Sequence, residues 1–282
     1  MIIDFHTHTF PEKIAERTIA ALSSKAHIRA FNDSTAVQLS ASMEKAGIDM
    51  SVVLPVATAP GQVEKLNTIS GDCLERTEST GLFYLGAIHP DYANYREELA
   101  RVREMGIPGI KIHPVYQGTD LDDIRFLRIL DRAAELGLFV VTHAGLDVGF
   151  PGVVHCSPAM SLHVVEQIGR FPFVLAHMGG WKNWDEVMEL LPGTGVYLDT
   201  AFACGRMNPL PDGYWKEEET GMLSPEEVMR MIRAFGADRI LFGTDSPWSD
   251  QKQQLEFIQS LPLEAEEKAQ ILGSNAEKLL GL

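Results

Sequence analysis

The sequence is short of positive charge, of cysteine and of long apolar runs, and each shortage removes a class of function. Its 24 Lys and Arg residues stand against 39 Asp and Glu, giving a formal net charge of −15, and no basic run interrupts that balance. Nucleic acid and anionic membrane surfaces are therefore not expected as partners. Cys73, Cys156 and Cys204 are far apart and odd in number. They fit a reducing compartment better than a disulfide framework. No apolar stretch approaches bilayer-spanning length and no basic segment precedes the first apolar run, so a soluble cytoplasmic protein is expected. The glycine-rich turn that a dinucleotide-binding sheet carries after its first strand is also missing. Linkers, repeats and low-complexity segments are absent. With 282 residues, 45% of them hydrophobic, one domain spanning 1–282 can bury a large core.

What is present is a repeated alternation. Eight near-continuous apolar runs, at 2–8, 50–56, 83–90, 109–114, 138–145, 173–180, 196–202 and 239–248, are each followed by a helical pattern. Unbroken apolar runs are the mark of parallel strands covered by helices, and eight such units predict a (β/α)8 TIM barrel; an open doubly wound sheet is the alternative. Leu121, Ile124, Leu127 and Leu130 predict the apolar face of one helix, ended by Gly137. Ser224, Pro225 and Glu227 form a helix start with a capping box. The polar and aromatic segment 203–223 is a candidate lid.

The chemistry gathers at the ends of these runs. His6 and His8 alternate on one strand, so both side chains leave the same face and can chelate a single divalent ion. His89, Lys111, His113, His143, His177 and Asp245 end other runs, and the C-terminal mouth of a barrel is where such residues meet. Each also has a plainer explanation. A single strand-end histidine is more often hydrogen-bonded structure, Asp245 could cap a helix, and Lys111 could be paired with an acid. His27 and His163 sit in helical stretches, and His155 in a loop could at most touch a substrate.

The segments Asp4-Phe5-His6-Thr7-His8, Gly109-Ile110-Lys111-Ile112-His113-Pro114, Thr142-His143-Ala144-Gly145, Ala176-His177-Met178-Gly179-Gly180 and Gly243-Thr244-Asp245-Ser246-Pro247-Trp248 resemble those of the amidohydrolase superfamily. The similarity is to its amidohydrolase-related branch, which includes aminocarboxymuconate-semialdehyde decarboxylase. The resemblance implies a mononuclear site in which His6, His8, His143 and Asp245 hold one ion, zinc or sometimes manganese, with His177 beside it. Asp245 and His177 are then the expected catalytic groups. A binuclear site bridged by carbamylated Lys111 is the alternative. The expected activity is metal-dependent hydrolysis of an amide, lactone or ester of a small cyclic or carboxylated molecule. Non-oxidative decarboxylation or hydration of an aromatic or muconate-type acid is the other outcome. Lys111, His113, Arg206 and Trp248 are candidate substrate contacts, and a homodimer is an assembly the branch also uses.

Overall fold

The computed structural model describes residues 1–282. Its strands are β1 (Ile3–Thr7), β2 (Met50–Val53), β3 in two segments (Leu82–Tyr84 and Gly86–Ala87), β4 (Gly109–Ile112), β5 (Phe139–Thr142), β6 (Phe173–Leu175), β7 (Tyr197–Asp199) and β8 (Ile240–Leu241). Neighbours pair in parallel in chain order from β1 through β8, with Leu85 interrupting β3. The ring closes where the Phe5 amide donates to the Phe242 carbonyl at 2.7 Å and the Asp245 amide donates to the His6 carbonyl at 2.7 Å. Eight parallel strands thus form a closed barrel with helices outside, and the open-sheet alternative fails.

Side-chain alternation separates two cores. Phe5, Val52, Leu85, Val141, Val174 and Leu241 meet inside the barrel, whereas Ile110, Ile112, Val140 and Leu175 face the surrounding helices. The joint between β1 and β8 is pinned by a buried carboxylate. Asp4 accepts hydrogen bonds from the Thr244 amide and hydroxyl at 2.9 and 2.6 Å and from Gln251 Nε2 at 2.7 Å. This fixes the two strands that carry His6, His8 and Asp245.

Several local expectations shift. The helix expected to bury Leu121, Ile124, Leu127 and Leu130 runs over Ile124–Glu135 and buries Phe126, Ile129, Leu130 and Ala133. Asp123 accepts from the Arg125 amide and starts the helix there, leaving Leu121 before it and Ile124 exposed. The capping box at Ser224 forms, with the Ser224 amide donating to Glu227 at 2.8 Å. Asp245 caps no helix, since Asp250 starts the next one by accepting from Gln253. His89 is a structural residue whose Nδ1 accepts from the Asp91 amide at 3.1 Å.

At the mouth, the ends of β5 and β6 touch backbone to backbone. Gly145 bridges Trp181, and a Cβ on Gly145 would lie 2.2 Å from the Trp181 nitrogen, at a φ of +84°. This contact sets the spacing of the loops that follow His143 and His177. Gly145→Ala is expected to destabilise the protein by about 3 kcal/mol or more, whereas Gly152→Ala, also at positive φ (+80°) but with open space around it, should cost only about 1–2 kcal/mol. Equal costs in urea unfolding would mean that the close approach does not constrain the mouth.

Candidate metal centre

His6 is positioned by a carboxylate that sequence reasoning missed. Asp199 ends β7, wholly buried, and its Oδ2 lies 2.8 Å from His6 Nδ1. Its Oδ1 accepts from the backbone amides of His177 at 2.9 Å and Ala201 at 3.1 Å. The proton of neutral His6 is therefore held on Nδ1, and Nε2 keeps a lone pair. His8 is set the same way, with Nδ1 at 3.0 Å from the Leu54 carbonyl. Both Nε2 atoms turn toward Asp245 Oδ1, that of His8 at 3.0 Å and that of His6 at 3.6 Å.

The electrostatics of this convergence ask for a cation. With its proton donated to Leu54, neutral His8 directs a lone pair at an anionic oxygen, and only a proton or a metal ion between them makes that contact favourable. Burial, aided by the charge of Lys111, holds His6 well below its ordinary pKa, in the form that ligates metals. Burial alone would raise Asp245, but its close contacts with the surrounding imidazoles outweigh that and keep the carboxyl below its ordinary value. One ligand atom from each of His6, His8 and Asp245 lies within 4.8 Å of the other two. Two imidazoles and a carboxylate suit zinc or manganese. The residues present therefore fit a divalent ion. Asp245 adopts a φ of +63°, an unusual conformation held by its amide's bond to His6.

The other expected site residues divide. Lys111, buried inside the barrel, places Nζ 3.3 Å from His6 Nε2, and burial pulls it down to about 8 against the opposing charges of Asp199 and Asp245. His177 donates from Nδ1 to the Ala201 carbonyl at 2.7 Å, and its Nε2 meets His143 Nδ1 at 3.0 Å. His143, the expected fourth ligand, is not in the His6–His8–Asp245 group. Its Nε2 lies 3.1 Å from the Leu146 carbonyl, and its ring stacks on His113 at 4.3 Å. To join the other ligands it would have to leave those partners. Trp248 packs near Trp181, Phe202 and Trp215 in an aromatic group at the mouth. Arg206 is 57% exposed and donates to the Glu217 carbonyl and the Thr220 hydroxyl, so the structure does not bring it to the site.

The expected lid is a strap tied down at several points. Trp215 Nε1 donates to the Ala26 carbonyl at 2.9 Å, Lys182 Nζ donates to the Gly221 carbonyl, and Tyr214 stacks on His27. His27, His155 and His163 pair with Asp212, Asp120 and Asp122, outside the metal centre.

With this geometry in place, comparison with known proteins is decisive at one level. The amidohydrolase family profile matches residues 3–282. The chain belongs to the amidohydrolase family. A search of curated proteins by sequence returns no match. Among solved structures, an uncharacterized TIM-barrel protein, Bb4693, from Bordetella bronchiseptica is similar over 99% of this chain and 98% of its own, with 19% identity and a TM-score of 0.72. A 5-carboxyvanillate decarboxylase from Novosphingobium aromaticivorans with bound manganese matches at 13% identity and TM-score 0.71, over 100% and 97% of the two chains. A candidate 2-pyrone-4,6-dicarboxylic acid hydrolase from Pseudomonas putida matches at 18% identity and TM-score 0.62, over 99% and 97%. At these identities the likeness supports the barrel, while the amidohydrolase assignment rests on the family profile.

The role of Asp199 is directly testable. Its Oδ1 faces two backbone donors, so in Asp199→Asn the amide NH2 must take the place of Oδ2 and donate to His6 Nδ1. That drives the imidazole proton onto Nε2. Affinity for zinc or manganese is expected to fall about 10–100-fold with the fold retained, measured by competition with a metallochromic chelator. A change within about twofold would contradict this role.

Proposed function

We propose that this amidohydrolase is a metal-dependent hydrolase acting on an amide, lactone or ester of a small molecule. The observation that carries the reading is the convergence of His6 Nε2, His8 Nε2 and Asp245 Oδ1 at the barrel mouth, two of them with their other nitrogen held as a donor. A single ion held by these three, zinc or manganese, with His143 as a fourth ligand if it leaves Leu146, would lower the pKa of water from about 16 toward about 7 and polarise a carbonyl.

The chain's own groups supply the rest. The ionised Asp245 carboxylate accepts a proton from the attacking water and returns it to the leaving nitrogen or oxygen, as general base and then general acid. The Lys111 ammonium, beneath His6, adds positive potential where negative charge develops on the carbonyl oxygen. His177 is held by Ala201 and leans on His143, so both its nitrogens are engaged and it keeps the mouth in register. The aromatic group of Trp181, Phe202, Trp215 and Trp248 bounds the mouth with apolar surface.

That same aromatic surface favours a second reading, decarboxylation or hydration of a flat aromatic or muconate-type acid. The solved decarboxylases with this fold share the architecture. Of Arg206, Lys182 and Lys111, the residues expected to meet a substrate carboxylate, the first two are bonded to the strap at 203–223 and Lys111 stays beside His6.

Turnover of lactone, ester and amide panels, and of 2-hydroxybenzoate-like and muconate-like acids, in ¹⁸O-water separates hydrolysis from decarboxylation. Hydrolysis places the label in the product, while decarboxylation releases carbon dioxide without consuming water. Asp245→Asn is expected to lower kcat/KM about 10²–10⁴-fold. Hydrolysis by that variant at close to the wild-type rate would refute the mechanism, and carbon dioxide release by wild type would establish the second reading.

A further inference from the structure

A second set of polar groups lies at the mouth, and the reaction above makes no use of it. Asp147, in the loop after β5, is only 8% exposed. Its Oδ1 accepts from the Gly149 amide at 2.8 Å. Its Oδ2 lies 3.7 Å from His113 Nε2 and 3.9 Å from His143 Nε2, both beyond hydrogen-bond length. Tyr116 packs edge-on to His113 and to Phe150, and the charges of Asp147 and Asp245 both act on its phenol. Lys25 Nζ sits 3.1 Å above the Phe150 ring and closes this side of the mouth from outside.

Ligand atoms of His113, His143 and Asp147 also lie within 4.8 Å of one another, as a cation site would require. The proton positions argue otherwise. His113 Nδ1 accepts from the Tyr116 amide at 3.4 Å, which leaves its proton on Nε2. His143 faces the Leu146 carbonyl through Nε2 at 3.1 Å and the acceptor Nε2 of His177 through Nδ1 at 3.0 Å, two contacts that the single proton of a neutral imidazole cannot both serve. The His113 nitrogen facing Asp147 thus presents a hydrogen, where those of His6 and His8 present lone pairs. An anionic oxygen with the His113 N–H near it but beyond bonding length is matched to a small group that donates one hydrogen bond and accepts another.

We propose that Asp147, with His113 and Tyr116, forms a substrate subsite that accepts a hydrogen bond from a hydroxyl, amino or ring N–H group, and so selects substrates carrying a donor over those carrying a carboxylate. The proposal rests on the hydrolase reading only in placing the substrate at this mouth. A carboxylate here would meet the like charge of Asp147, and Lys25, the cation on this side, lies over the Phe150 ring. A donor would complete a carboxylate that is otherwise half-satisfied, and sites built on such buried polar groups discriminate strongly against ligands that cannot pair with them.

The test is binding, measured by calorimetry on manganese-loaded protein with benzohydroxamate and its amino and carboxy derivatives at each ring position. Wild type is expected to bind at least one amino isomer about tenfold more tightly than the unsubstituted parent, and every carboxy isomer more weakly. In Asp147→Asn and Asp147→Ala that preference should collapse to within about twofold while manganese content stays at the wild-type level. Binding of the parent without preference for any amino isomer, or a preference that survives in both variants, overturns the subsite alone. Failure of wild type to bind even the parent removes the placement of substrate at this mouth, and the subsite with it. Loss of manganese from both variants would make the cluster a cation site and also overturn the proposal.

Discussion

The candidate metal centre depends on where two imidazole protons sit. Asp199 holds one on His6 Nδ1 and the Leu54 carbonyl holds the other on His8 Nδ1, so two lone pairs meet the Asp245 carboxylate. Without those bonds, either ring could present a hydrogen instead and two ligands would be lost. The same rule distinguishes the neighbouring His113–His143–Asp147 group, in which His113 Nε2 is placed as a donor. Residue types alone do not separate the two clusters; hydrogen-bond partners do.

The barrel makes this arrangement possible because its strand ends bring together residues nearly the whole chain apart. Asp4, buried at the seam of β1 and β8, ties the strand bearing His6 to the segment bearing Asp245 through Thr244 and Gln251. The tight contact of Gly145 with Trp181 does the same for the loops after β5 and β6. Over this frame, the strap at 203–223 is anchored to Ala26, His27 and Lys182, which gives the mouth an edge fixed by hydrogen bonds and stacking.

Much of this was legible in the sequence because strand periodicity and strand ends are local signals. Eight apolar runs predicted the closed barrel, and the strand-end positions of His6, His8 and Asp245 placed them at one mouth. Asp199 carried the same signal, a polar residue closing an apolar run, and could have been found by it. Asp147 could not, since it lies in a loop whose path is set by the Gly145–Trp181 bridge. The orientation of His143 was equally hidden, because its ring angle is decided by competition among Leu146, His177 and the other ligands. Arg206 failed as a site residue for a related reason: a long side chain on a loop goes to the nearest carbonyls, here those around Glu217 and Thr220.

The central claim is that His6, His8 and Asp245 bind one divalent ion, and elemental analysis addresses it most directly. Wild type and a His6→Ala/His8→Ala double variant, purified side by side without added metal and again after reconstitution, would be compared. The account predicts close to one equivalent of zinc or manganese in wild type and its loss from a folded double variant. Equal metal content in the two proteins, or no uptake by wild type after reconstitution, would contradict it.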